Sequence, residues 1–254
     1  MINFSIEEMK NRVIFGIPLF DTEGNPFPDD LLQSYLDSAI SWAEQTLNIA
    51  IQPRDEEETH DFLSMDYMNW SYIKVWKKPI LEVQEIQLYY GDKPMMKIPK
   101  EWVKVDNLGG MIQLFPTSGT TSGMIITNSG GMFLPMLHGQ LSYVPQMWRV
   151  KYKAGMNEPA ENQVYRKTDI HPNLKDVIYR KTAMGVMGVW GDLIIGAGIA
   201  NQSVSLDGLS QSIGTTQSAM FGGASSRIKQ LQEDIDLMMP TLRSYYGGID
   251  MTVV

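Results

Sequence analysis

The chain has 254 residues, a net charge of −8 and no cysteine. That length suits one large domain, or a domain carrying a sizeable insert, and the missing thiols exclude both a disulfide framework and a thiolate metal site. The acidic balance argues against a general nucleic-acid binder, because phosphate contacts need concentrated Lys and Arg.

The N-terminus, MINFSIEEMK, carries acids where a secretory signal needs bases, so no signal is read there. Ser5 with Glu8 three residues later is a capping-box pattern that opens a short helix from Ile6 to about Phe15. The turn-rich GIPLFDTEGNPFP follows. Its Asp21–Asn25 piece lacks the ligand spacing and closing Glu of a calcium loop, so it reads as a turn. Asp29 and Asp30 start a second helix, and acids in a first turn suit the helix dipole. Leu31, Leu32, Tyr35, Leu36, Ala39, Ile40, Ala43 and Leu47 then recur at three- and four-residue steps, one apolar stripe about five turns long.

From about Ala50 the period changes. Tyr72–Trp76, Val83–Tyr90, Trp102–Val105, Met111–Phe115 and Trp148–Tyr152 are short, rich in β-branched and aromatic residues, and punctuated by Pro, Gly, Asn and Asp. Asn107–Gly110 reads as a turn between two of them. The expected fold class is therefore α+β. Residues 1–50 and 161–254 form a helical core, and 51–160 a β-rich insert. The acidic run Asp55–Asp61 is either a solvated or edge-protecting charge cluster, or a site that gathers a hard cation if the chain folds back on itself.

Helical character returns at His171, with Pro172 suited to a first helical position. Ala183–Ala200 is apolar, glycine-dotted and interrupted by Asp192. An acid near the middle is costly in lipid, so the run reads as a helix packed closely on others, not as a membrane span. Residues 201–225 are crowded with Ser, Gln, Thr and Gly around a single charge, Asp207, and cannot build a core alone. A final helix from Ser226 to about Tyr246 has the stripe Ile228, Leu231, Ile235, Met238, Met239, Leu242 and Tyr245. Pro240 lies inside it, and the apolar IDMTVV follows.

Signatures of chemistry are sparse. Thr117–Gly123, TSGTTSG, looks like the phosphate loop of adenylate-forming enzymes, but Met124, Ile125 and Ile126 stand where a Gly-x-Pro-Lys continuation belongs. A loop between strands is the simpler reading, and a nucleotide-using enzyme the alternative. There is no P-loop and no nucleophile elbow. His60, His138 and His171 show no metal spacing. The expectation is no catalytic residue, no metal and no cofactor.

WRVKYKAG (Trp148–Gly155) closes a strand before a helical segment. Then come HPNLKDVIYRKTAMGVMGVWGDLIIGAGIA, the polar SVSLDGLSQSIGTTQSA, and a last helix with LMMPTLRSYYGGI. With the acid-started second helix, this order resembles the head–tail connector (adaptor) proteins of tailed bacteriophages, most specifically over Trp148–Ile249. The resemblance implies a non-enzymatic, mainly helical subunit, with a hairpin in smaller members. Such subunits oligomerise into a ring beneath the portal, commonly a dodecamer, through which double-stranded DNA passes. It implies a virion neck location after assembly in the host cytoplasm, with the chain itself, the portal and tail or neck proteins as partners. The β-rich insert departs from the pattern, and another neck, tail-completion or baseplate protein is the alternative. On this reading Tyr245, Tyr246, Ile249 and Met251 contact a neighbouring protein, or else the two tyrosines close the subunit's own core. The polar arm, with Ser203, Leu206, Leu209, Ile213 and Ala219, lies against an adjacent subunit.

Overall fold

The computed structural model describes residues 2–21, 23–63, 72–114, 142–159, 166–195, 201–206, 209–214 and 224–247. The loop Thr117–Gly123, His138, and Ala219, Ile249 and Met251 lie outside them. The chain is α+β, and it divides into two compact units. One comprises Asn48–Ile170 with the first two residues; the other comprises Asn3–Leu47 and His171–Val254.

The helical unit holds the four α-helices of the described residues. In α1 (Ile6–Val13) the Ser5 hydroxyl accepts from the Glu8 amide at 3.4 Å, satisfying one of the orphan donors of the first turn. Met9 and Val13, one turn apart, are its buried face. In α2 (Asp29–Leu47) the buried residues are Leu32, Leu36, Ala39, Ala43 and Leu47, so the sequence stripe is the packed one. It ends at Asn48, which takes φ of 50°, a left-handed conformation that Asn tolerates and that stops a helix.

The third helix, α3 (Pro172–Ile195), is the central element, with α1, α2 and α4 (Ser225–Gly247) all packed on it. Leu174, Val177, Ile178, Tyr179, Ala183, Val186 and Met187 are buried around its circumference, which is why its apolar period is faint in sequence. Its glycines permit close approach: a Cβ on Gly185 would stand 2.6 Å from the Tyr35 ring of α2. No helix of the described residues is long and apolar enough to cross a membrane. The stripe of α4 buries Ile228, Leu231, Ile235, Met239, Leu242 and Tyr246. Between α3 and α4 the polar segment pairs with itself, as the antiparallel hairpin β8 (Asn201–Leu206) and β9 (Leu209–Gly214).

The other unit is built on β1 (Arg54–Leu63), β2 (Tyr72–Lys74), β3 (Ile80–Tyr90), β4 (Lys93–Lys97), β5 (Val103–Asp106), β6 (Met111–Leu114) and β7 (Tyr143–Ala154). They form an antiparallel sheet in the order β1-β7-β3-β4 and a second in the order β2-β6-β5. Phe62, Ile86, Leu88, Trp148 and Val150 from the first sheet, with Ile73, Ile112 and Leu114 from the second, make one core. Asn107–Gly110 is the turn joining β5 to β6, and Gly110 supplies its positive φ of 69°.

The acidic run Asp55–Asp61 lies in β1, at the sheet edge, where charge blunts pairing with other chains. The sequence pattern alone predicts no strand there. Asp and Glu are poor strand formers, and the central strand β7 compensates for them. Lys151 lies between Glu57 of β1 and Glu85 of β3 in register, with its Nζ 3.7 Å from the Glu57 carboxylate. Such opposite-charge cross-strand pairs stabilise a solvated sheet face.

Candidate interaction surfaces

Within the helical unit, the start of α3 and the end of α4 meet. The His171 amide donates to the Tyr246 hydroxyl at 3.1 Å, and His171 Nδ1 accepts from the Asn173 amide at 3.2 Å. His171 thus caps α3, with Pro172 at the first helical position, where a missing N–H costs nothing. Burial lowers the His171 pKa, which keeps Nδ1 available as an acceptor. Tyr245 packs against the His171 ring at 5.0 Å and edge-on against Tyr246 at 4.9 Å.

Burial separates the two tyrosines. Tyr246 is 1% exposed and is buried within the helical unit. Burial raises its phenol pKa, so it stays a neutral hydrogen-bonding group. Tyr245 is half-buried. In the polar arm, Ser203 pairs with Ser212, Leu206 with Leu209 and Ile213 with Gln202 across the hairpin.

A second feature of this unit is a groove of about 400 Å³ along the chain between α1 and α2, lined among others by Ile14, Phe15, Ile17, Leu19 and Phe20. Phe15 is 82% exposed beside it. The Trp190 indole N–H of α3 donates to the Pro18 carbonyl at 2.8 Å and holds the segment. Asp21 closes the turn within it: its carboxylate accepts from the amides of Glu23 at 2.9 Å and Asn25 at 2.8 Å. Those bonds hold the Asp21 pKa low and give the turn reading over a calcium loop. Ion pairs also knit α1 to α3. Glu8 meets Arg12 at 2.8 Å and Lys175 at 3.3 Å and accepts from the Tyr179 hydroxyl at 2.7 Å. Burial alone would raise the Glu8 pKa, but these partners outweigh it and bring it below the ordinary value.

In the β unit, sequence reasoning missed a buried carboxylate. Alternation along β1 turns Glu58 inward, 4% exposed. Its oxygens accept from the Trp76 amide, from the Tyr152 hydroxyl of β7, and are 2.9 Å from His60 Nε2. Burial by itself would lift its pKa; the hydrogen bonds with His60, Tyr152 and Trp76 hold it below the ordinary value instead. Burial and the Glu58 charge push the Tyr152 phenol up. A fully partnered carboxylate of this kind is a structural tie. The readable signal was Glu58 and His60 two residues apart in an extended run, which places both on one strand face. Among the described residues, no three His, Asp or Glu side chains gather as a metal ion requires.

No protein-family model matches the chain, and no curated protein matches it. Among solved structures, it is similar to a chain from the neck of an empty GTA particle computed with C6 symmetry. Identity there is 14% over 71% of this chain and 76% of that one, with a TM-score of 0.42. A chain from the neck of a native GTA particle computed with C12 symmetry is similar at 14% identity over 61% of this chain and 70% of that one, with a TM-score of 0.37.

Proposed function

We propose that this chain is a structural subunit of a tailed-phage-type particle: a head–tail connector that assembles with copies of itself into a ring in the neck. The ring joins the portal to the tail and lets the genome through. The observation that carries this reading is the helical unit itself. Its two N-terminal helices and two long C-terminal helices pack together, with a hairpin set between α3 and α4. That is the element order on which the resemblance of Trp148–Ile249 to connector proteins rests. The β-rich residues 51–160 are then an insert into the helical core. A net charge of −8 suits a channel wall past which DNA must slide without sticking. The half-buried Tyr245, followed by Ile249 and Met251, is the contact offered to a neighbouring protein, and the 201–214 hairpin the arm laid on the next subunit.

The test is the native mass and negative-stain image of the purified chain, alone and with a portal. A closed ring of twelve-fold order that caps the portal supports the reading. Six or three copies favour a tail-completion or baseplate role. A chain that stays monomeric with and without portal overturns it. The nucleotide-enzyme alternative is tested in the same preparation: no thermal shift with millimolar ATP and Mg²⁺ ends it, and a shift lost in Gly119→Ala and Thr120→Ala revives it.

A further inference from the structure

Two exposed apolar side chains on the described surface have surroundings of opposite charge. The first is Trp76, 63% exposed, on the turn after β2. Ile73 and Val75 point inward, so Lys74 and Trp76 share the solvent side, and Lys77 follows. The turn is held rigidly. The Val75 amide donates to the Gly110 carbonyl at 2.9 Å, the Trp76 amide to Glu58, and the Lys77 amide to the Tyr152 hydroxyl at 3.1 Å, while the Lys78 carbonyl accepts from Ala50 at 2.6 Å. A large aromatic side chain on a fixed backbone loses little entropy when a partner covers it, and Trp dominates binding energy where it is buried on association.

The second is Leu237, 79% exposed on α4. Glu233 lies one helical turn before it and Asp236 beside it, both exposed. Gln232 donates to Asp236 at 2.8 Å, and Lys229 stands 4.0 Å from Glu233 a turn further back.

We propose that the Trp76 turn of one copy docks on the Leu237 face of α4 in the next, with Lys74 and Lys77 set against Glu233 and Asp236. This rests on the self-assembly proposed above and names the surfaces that perform it. The occupant is a second copy because the two patches are complementary in charge, each has an apolar centre, and both are carried by every copy. Two different patches meeting head to tail make a heterologous contact, which closes into a ring when the rotation per step permits. Charge complementarity of this kind fixes register and excludes wrong partners.

The experiment is sedimentation velocity and native mass on the full chain. Lys74→Glu with Lys77→Glu, and separately Glu233→Lys with Asp236→Lys, each weaken association at least about tenfold with an unchanged melting profile. Mixing the two reversed proteins restores assembly, because each then offers the surface that the other needs. Trp76→Ala weakens association without charge change. Assembly that persists in either reversal, or is not recovered in the mixture, overturns the docking while leaving the connector reading intact. A wild-type chain that never assembles alone overturns the docking, and one that stays monomeric with a portal as well removes the connector reading too. Retention of duplex DNA by the wild type, lost in Lys74→Glu with Lys77→Glu while assembly survives, would assign the patch to nucleic acid and also overturn the docking.

Discussion

The main-chain N–H of Trp76 donates to both oxygens of the Glu58 carboxylate, at 3.1 Å and 3.0 Å, across 18 residues of sequence. The same carboxylate takes the Tyr152 hydroxyl, so one side chain ties β1, β7 and the turn that presents Trp76. Removing it strands buried donors. Glu58→Ala is expected to cost about 3 kcal/mol, read by urea unfolding. The bonds favour the ionised form, so their contribution is present above the ordinary carboxylate value of 4.5 and is lost as pH falls through the lower folded value. Glu58→Gln flattens that acid limb; a limb unchanged in Glu58→Gln assigns it to other carboxylates.

His171 gives a slope in a different range. Its folded pKa lies below the ordinary 6.5 because burial disfavours the imidazolium. The stability of the neutral cap is therefore complete above 6.5 and declines as pH falls through the folded value. His171→Asn keeps a side-chain acceptor for the Asn173 amide without titrating. Melting temperature against pH between 7 and about 5 is expected to fall less steeply in this variant than in wild type. Parallel curves refute the cap's role in that window.

Tyr245 and Tyr246 are expected to separate experimentally. Tyr246→Phe leaves the part-buried His171 amide without its acceptor and costs about 1 kcal/mol in chemical unfolding. Tyr245→Ala, at a half-buried position, costs less stability and instead weakens assembly measured by native mass. If Tyr245→Ala assembles as wild type does, the neighbour contact lies elsewhere.

Gly155 ends β7 with φ of 130°, and a Cβ there would stand 2.6 Å from the Pro53 Cα. The three nearest atoms are main chain of Gln52 and Pro53, so no flexible side chain can yield. Gly155→Ala is expected to destabilise by about 2 kcal/mol in equilibrium unfolding. A neutral result means that β1 and β7 separate here more readily than their register implies.

Much of the helical part was legible in the chain. Ser5 and Glu8 mark the α1 cap, the Asp29–Asp30 start and the Leu32-to-Leu47 stripe mark α2, and Ile228-to-Leu242 marks α4, because a helix one face of which is buried writes its period into local sequence. The strands with branched and aromatic residues were also visible, as was the Asn107–Gly110 turn. Strand β1 was not, since its charges are tolerated only through partners on β7 that lie about ninety residues away in sequence. The hairpin of the polar arm was legible too, though its low charge and Ser/Gln content mask it: Val204 and Leu206 alternate with serines, and Asp207-Gly208 is a two-residue hairpin signal in the sequence.

By itself, then, the sequence determined the fold class, where the helices start and the absence of thiol chemistry, all of which depend on residue type and local spacing. Tertiary structure decided that Tyr246 is core while Tyr245 is half-buried, that Glu58 is a buried tie within an acidic run, and that Trp76, Phe15 and Leu237 are exposed. Burial is a property of what packs on a residue from elsewhere in the chain, and no local pattern records it.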